Sequence, residues 1–188
     1  MTTIRITTLI ASAFVVLLAN LGCDRQIHVP HGDSNISVPA GDPAFVPLST
    51  SWIIDDASIL SGEVVTYGDI KLNQLKEDHV AEVVILIQKG IKHPEKYATH
   101  YGRWLGLGNV GQSTGGGNNG LVWLIRPDAE RKITISVGRG LPRFTSNDYR
   151  PIMEKAKKHF DSQEYNKGIM IMIDETDRIL RYIYEARK

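Results

Sequence analysis

The sequence predicts an α/β layered domain, with helices on both sides of a small mixed sheet and elements in the order βαβαββαα. Three observations predict it. Residues 81 to 88, AEVVILIQ, are apolar on both faces, as a central strand covered above and below would be. Residues 121 to 137 read as a hairpin, an apolar run and an alternating run joined by turn chemistry. Between and after these lie stretches whose apolar residues recur at helical spacing.

Met1 to Gly22 is set aside as a secretory signal. It holds one Arg, Arg5, no acid, and an apolar run from Leu9 to Leu18 that is too short and wrongly flanked to span a membrane. The single cysteine, Cys23, follows directly, and Leu18-Ala19-Asn20-Leu21-Gly22-Cys23 resembles the lipobox of bacterial lipoproteins, where a small residue precedes an acylated cysteine. Such boxes usually carry Leu where this chain has Asn20, so an ordinary signal peptide with an incidental cysteine is the alternative. Behind a lipidated Cys23, Asp24 resembles the signal that retains some bacterial lipoproteins in the inner membrane. One cysteine allows no intrachain disulfide.

Residues 23 to 50 are expected to be a lipidated cysteine and a flexible linker, because Pro30, Pro39, Pro43, Pro47, Gly32 and Gly41 interrupt a stretch with few large apolar groups. A flexible tether of about 25 residues spans roughly 25 to 30 Å. Residues 51 to 188 then form one domain with enough chain for a core. Without the signal, the 22 basic residues lose only Arg5 and face 21 acidic ones. That balance argues against nucleic acid as a partner.

Within the domain, Trp52-Ile53-Ile54 is a short strand ending at Asp55-Asp56. Ser61 is placed to cap a helix from about Glu63 to Asp78, whose stripe is Val65, Leu72 and Leu75, with Gly68 weakening it. After the central strand, His93-Pro94 opens a helix that carries Tyr97, Ala98, Tyr101, Trp104 and Leu105 on one face. The hairpin pairs Leu121–Ile125 with Lys132–Val137, turned by residues 127 to 131, PDAER. A helix near Asp148 carries Ile152, Met153, Ala156 and Phe160, and Pro151 fits if the cap lies close to Asp148. The last helix, about Tyr165 to Ala186, buries Ile169, Met172, Ile173, Thr176, Ile179, Leu180 and Ile183.

The loop before the hairpin, Gly115, Gly116, Gly117, Asn118, Asn119 and Gly120, lets the backbone approach a ligand closely and is read as a flexible or ligand-facing loop on a rigid strand. Several other signals carry nothing. Gly106 to Gly111 spells G-x-G-x-x-G, yet it follows a helix and precedes a strand, the reverse of dinucleotide binding. No Gly-Lys-Ser/Thr follows the later glycines, and no G-x-S-x-G elbow occurs. The six histidines are scattered, with His93 and His100 near one helix face. Lys155, Lys157, Lys158 and His159 read as a solvated face, or one that touches anionic headgroups on a short tether.

The region from about 52 to 186 resembles a TPM domain, a family that includes thylakoid-lumen proteins of photosystem repair and many membrane-associated bacterial proteins. Five weak motifs occur in the right order: Asp55-x-Ala57-x-x-Leu60-Ser61; Glu95-x-Tyr97-Ala98 through Trp104-x-Gly106; Asn119-Gly120-Leu121; Arg131-Lys132-Ile133 through Val137-Gly138-Arg139-Gly140-Leu141; and Asp148 with residues 160 to 168, FDSQEYNKG. The resemblance implies a three-layer α/β/α sandwich. Two positions depart from the family pattern. Gly140-Leu141-Pro142 stands where Gly-Leu-Glu is common, and Glu130 where the turn usually has Asp, which weakens any metal site carried over from relatives.

The remaining oxygen donors are Asp55, Asp56, Asn118, Asn119 and Asp148, at strand ends and helix starts where open α/β sheets bind ligands. Such donors suit calcium or magnesium, and no organic cofactor is expected. The competing reading is that Asp55 and Asp148 cap turns and helix ends. Two functions follow. One is a membrane-tethered extracytoplasmic module, facing the periplasm or cell exterior, that binds a partner protein and a divalent cation. The other is a metal-dependent acid phosphatase, an activity assigned to some TPM proteins; Arg126, Arg131 and Arg139 could supply charge for it, but no nucleophile is identifiable.

Overall fold

The computed structural model of the protein describes residues 35–46, 50–108 and 117–184. The signal segment, Cys23, Gly115 and Gly116 lie outside the described residues. The elements run β1 Ile53–Asp55, α1 Gly62–Glu77, β2 Glu82–Ile87, α2 Pro94–Trp104, β3 Gly120–Ile125, β4 Ile133–Val137, α3 Ser146–Asp161 and α4 Tyr165–Tyr184. This is the order βαβαββαα expected from periodicity.

The strands form one sheet in the order β1-β2-β3-β4, the first three parallel and β4 antiparallel to β3. Every residue of β2 is buried, as its unbroken apolar run requires of an inner strand. One face of the sheet meets α1 and α4. Gly68 of α1 lies where a Cβ would come within 2.7 Å of the Ile53 side chain and 2.9 Å of Ile173, and the Trp123 indole donates to Thr176 of α4 at 3.2 Å. Gly68, a weak helix former, is therefore the point at which α1 crosses closest to the sheet and α4. α3 packs on α4. The opposite face is covered by α2, which buries Tyr97, Ala98 and Tyr101, and Leu105 just beyond its end is buried with them.

Part of the expected linker belongs to this body. Residues 35–46 lie along α2, with Val38, Phe45 and Val46 packed against the core. The Phe45 ring stands 5.1 Å from Tyr97, 5.6 Å from Tyr101 and 5.3 Å from Trp104. The Tyr97 hydroxyl and the Gln88 amide both donate to the Ala44 carbonyl. The Asp42 carboxylate accepts from the Lys92 and His93 amides at 2.6 and 3.2 Å, at the entrance to α2. Buried with these groups, the Tyr97 and Tyr101 hydroxyls are pushed well above the ordinary phenol range. Prolines make this strap look like a tether, but one aromatic side chain and one carboxylate are enough to dock it.

Candidate functional site

The direction of the parallel strands decides which expected site residues meet. β1, β2 and β3 run the same way, so Asp55 at the end of β1 lies in register with Ile87 and Ile125, whereas Gly120 at the start of β3 lies beside Glu82. Five residue steps along a strand separate the two rows, roughly 16 Å. Asp55 and Asp56 are therefore at one end of the sheet, and Gly117, Asn118, Asn119 and Gly120 at the other.

Each carboxylate is also engaged locally. Asp55 Oδ2 accepts the Ile59 and Leu60 amides, both at 2.8 Å, closing the turn into α1. Its Oδ1 is buried with no hydrogen-bond partner among the described residues. Asp56 is exposed. Asp148 Oδ2 accepts the Thr145 amide at 2.7 Å and the Thr145 hydroxyl at 2.9 Å, which fastens the start of α3, with Thr145 rather than Asp148 as the cap. Among the described residues, no group of three or more His, Cys, Asp or Glu side chains could hold a metal ion. The five expected donors do not make one cation site, because two of them are about a strand's length from the Asn pair and the carboxylate of the fifth, Asp148, is bound to Thr145 at the start of α3.

The described part of the glycine-rich segment, residues 117–120, is a packed junction. Asn118, at φ 63°, is held by glycines from two other loops. A Cβ on Gly138 would sit 2.1 Å from the Asn118 carbonyl oxygen, and one on Gly108 would sit 2.5 Å from the Asn118 Cα. The Gly140 amide donates to the Asn118 carbonyl at 2.9 Å, and the Asn118 amide donates to the Gly108 carbonyl. Glu82, buried at the start of β2, accepts the Gly108 amide at 2.7 Å. Asn119 is fully buried, donating its side-chain amide to the Val80 carbonyl at 3.3 Å. Gly106-x-Gly108, Gly117-to-Gly120 and Gly138-x-Gly140 are thus interlocked loops, close to Asn118 because Gly108, Gly138 and Gly140 carry no side chain.

Beside this junction, between α2 and β4, lies a cleft of about 170 Å³. Its walls include Thr99 and Arg103 from α2, Asn118 from the junction, and Ser136 and Arg139 from β4 and its end. The Thr99 and Ser136 hydroxyls share a hydrogen bond of 3.2 Å. Arg103 and Arg139 are exposed, and neither forms an ion pair among the described residues. By contrast, Arg131 pairs with Glu95 at 3.1 Å, and Arg126 is buried with its guanidinium on the Ile91 and Arg131 carbonyls. The Thr99 hydroxyl also donates to the Glu95 carbonyl at 2.9 Å, so both hydroxyl protons are engaged, and the cleft offers an anion two guanidinium groups without an ion pair among the described residues, beside the Asn118 side chain. It is smaller than the roughly 300 to 1,000 Å³ of sites for drug-sized ligands, and fits one end group better than a whole cofactor.

Composition drew attention to Asn118 through the glycine loop and to Arg139 as a source of charge. It missed Thr99, Arg103 and Ser136, which lie on a helix and a strand far apart in the chain. Only the pairing of β4 with β3 under α2 brings them together.

A family model for the TPM domain matches residues 53–179. No curated protein matches the chain. Among solved structures it is similar to the N-terminal domain of a P. gingivalis protein, solved by NMR, at 23% identity and TM-score 0.61 over 73% of this chain and 86% of that one. It is also similar to the N-terminal domain of a Corynebacterium glutamicum protein, at 13% identity and TM-score 0.52 over 76% and 86% of the two chains. The BA42 protein of the psychrophilic bacterium Bizionia argentinensis gives 13% and 0.55 over 69% and 87%. At these identities the likeness is one of fold.

Proposed function

This chain belongs to the TPM domain family, and from that premise we propose that it is an exported binding module, held at a membrane through lipidated Cys23, that takes an anionic group of a partner protein in the cleft between α2 and β4. The observation that carries the proposal is the pair Arg103 and Arg139, which both line the cleft without a counter-charge among the described residues. Two guanidinium groups without a counter-charge favour carboxylate or phosphate over any neutral ligand.

The phosphatase alternative finds less support. Hydrolysis needs a nucleophile or an oriented water, activated by a base. The cleft's hydroxyls, Thr99 and Ser136, bond to each other, and no His, Asp or Glu is among the residues that line it. A cation remains part of the proposal only at the Asp55–Asp56 end of the sheet, where Asp55 Oδ1 is buried without a hydrogen-bond partner among the described residues. Membrane attachment rests on the Cys23 segment and on the retention signal that Asp24 resembles.

Titration of the domain with inorganic phosphate and with an Asp-rich peptide, followed by amide NMR shifts, tests the cleft. Shifts at Asn118, Ser136, Gly138 and Arg139, with affinity lowered about tenfold or more in Arg103→Ala/Arg139→Ala, are expected. Shifts elsewhere, or affinity indifferent to the double substitution, overturn the proposal. Turnover of a phosphate ester that disappears in Asp55→Asn would favour the enzyme instead. For the anchor, Cys23→Ser should move the protein from the membrane to the soluble extracytoplasmic fraction.

A further inference from the structure

We propose, resting on the anion-binding reading above, that the partner is captured as an extended segment added to the sheet along the outer edge of β4, with acidic and apolar residues alternating. β4 is the last strand of the sheet. Its ladder to β3 is bounded by Arg126 N–H to the Lys132 carbonyl at 2.7 Å and Gly138 N–H to the Gly120 carbonyl at 2.8 Å, with Leu124 opposite Thr134 and Val122 opposite Ser136. In antiparallel pairing this alternation turns the N–H and C=O groups of Thr134 and Ser136 inward, and those of Ile133, Ile135 and Val137 outward. None of those outward groups has a partner among the described residues.

Edge strands are usually blunted by proline, charge or a bulge. Residues 133 to 137, ITISV, contain no proline and no charge, and the register with β3 is unbroken across all five. The edge is a ready template for another strand.

The two faces beside that edge differ, and the difference sets the chemistry of the partner. On the α2 side an added strand would point alternate side chains toward Arg103 and Arg139 in the cleft. On the other side it would meet a groove of about 240 Å³ between β4 and α3, lined by Ile133 and Met153 and rimmed by Arg150 and Lys157. Glu154 is the single acid lining that groove; of the four cations there, Arg131 pairs with Glu95, Lys157 pairs with Asp161 and the Lys132 ammonium donates to the Pro127 and Ala129 carbonyls, which leaves Arg150 without an ion pair among the described residues. Charge complementarity with Arg103 and Arg139 on one side and Arg150 on the other selects an acidic segment, and the apolar floor selects aliphatic residues at every second position.

The probe is the peptide acetyl-Glu-Val-Glu-Val-Glu-Val-Glu-amide, and the protein is the full mature chain with Cys23→Ser. At saturation, amide exchange at Ile133, Ile135 and Val137 should slow about tenfold or more, since their N–H groups become paired. Peptides N-methylated at alternate positions should then divide: one set binds about tenfold or more weaker, and the other binds as the parent does. Equal binding by both sets, with shifts confined to Asn118, Ser136 and Arg139, would mean anion capture without strand addition. The inference then fails while the proposed function stands. No binding by any peptide, together with no response to phosphate, removes both. Slow exchange at Ile135 in the free protein, with a dimeric mass in solution, would make a second copy the occupant and overturn the acidic partner.

Discussion

Gly138 and Asn118 approach more closely than any side chain would permit, since a Cβ on Gly138 would stand only 2.1 Å from the Asn118 carbonyl oxygen. The obstacle is backbone, so no rotamer can relieve it. Gly138→Ala should cost about 1 to 3 kcal/mol in urea unfolding, as overpacking commonly does, and should displace the amide signals of Asn118 and Arg139. An unchanged midpoint would mean that the junction yields freely.

Asp148 serves α3. Asp148→Ala removes the acceptor of the Thr145 amide and hydroxyl, and a loss of about 1 kcal/mol is expected, typical of a lost cap. Phosphate affinity at the cleft should be unaltered. A change in affinity without a loss of stability would return Asp148 to the list of ligand groups.

Phe45 ties the strap to α2 through Tyr97, Tyr101 and Trp104. Because the ring is only partly buried, Phe45→Ala should cost toward the lower end of the roughly 3 to 5 kcal/mol typical of buried aromatics. Trp104 emission should shift at the same time, since its neighbour is gone. Thermal melts and fluorescence read both.

Glu175 joins α3 to α4. Lys155 and then Arg178 hold its carboxyl below the ordinary range. A lowered folded pKa contributes stability above the unfolded value of about 4.3, and that contribution is lost as pH falls through the lower folded value. Glu175→Gln should therefore flatten the acid side of the stability profile and leave its slope near neutral pH unchanged. An acid limb identical to that of the parent would show that the ion pairs add nothing in solution.

A divalent cation cannot touch both ends of the sheet. If calcium shifts the amides around Asp55 and Asp56, those of Asn118 and Asn119 should stay in place, because about 16 Å of strand intervenes. Simultaneous saturable shifts at both ends would contradict that geometry.

The order of elements and most helix faces were legible because they rest on short-range periodicity, although α1 buries Val64 and Gly68 with Leu72 and Leu75 and leaves Val65 only partly covered. β2 announced itself by an unbroken apolar run, α2 by Tyr97, Ala98 and Tyr101, and α4 by Ile169, Met172 and Ile173. The resemblance to TPM domains agreed with that order. The site was less legible. Asp55 and Asn118 both stand at strand ends, but parallel strands have two kinds of end, and the chain direction that separates them becomes visible only once β1, β2 and β3 are aligned. The glycines looked like slack because composition does not reveal what fills the place of a missing Cβ. Phe45 hid among prolines, a lone aromatic with no periodicity around it.

The docking of residues 35–46 has one consequence for anyone who handles this protein. A fragment cut at residue 51, ahead of β1, would leave the rings of Tyr97, Tyr101 and Trp104 without their cover and the entrance to α2 without Asp42. Bare aromatic surface of that kind finds its own copies in concentrated solution. Turbid samples from so short a fragment would then report a missing lid of a dozen residues, and say nothing about what the intact molecule grips.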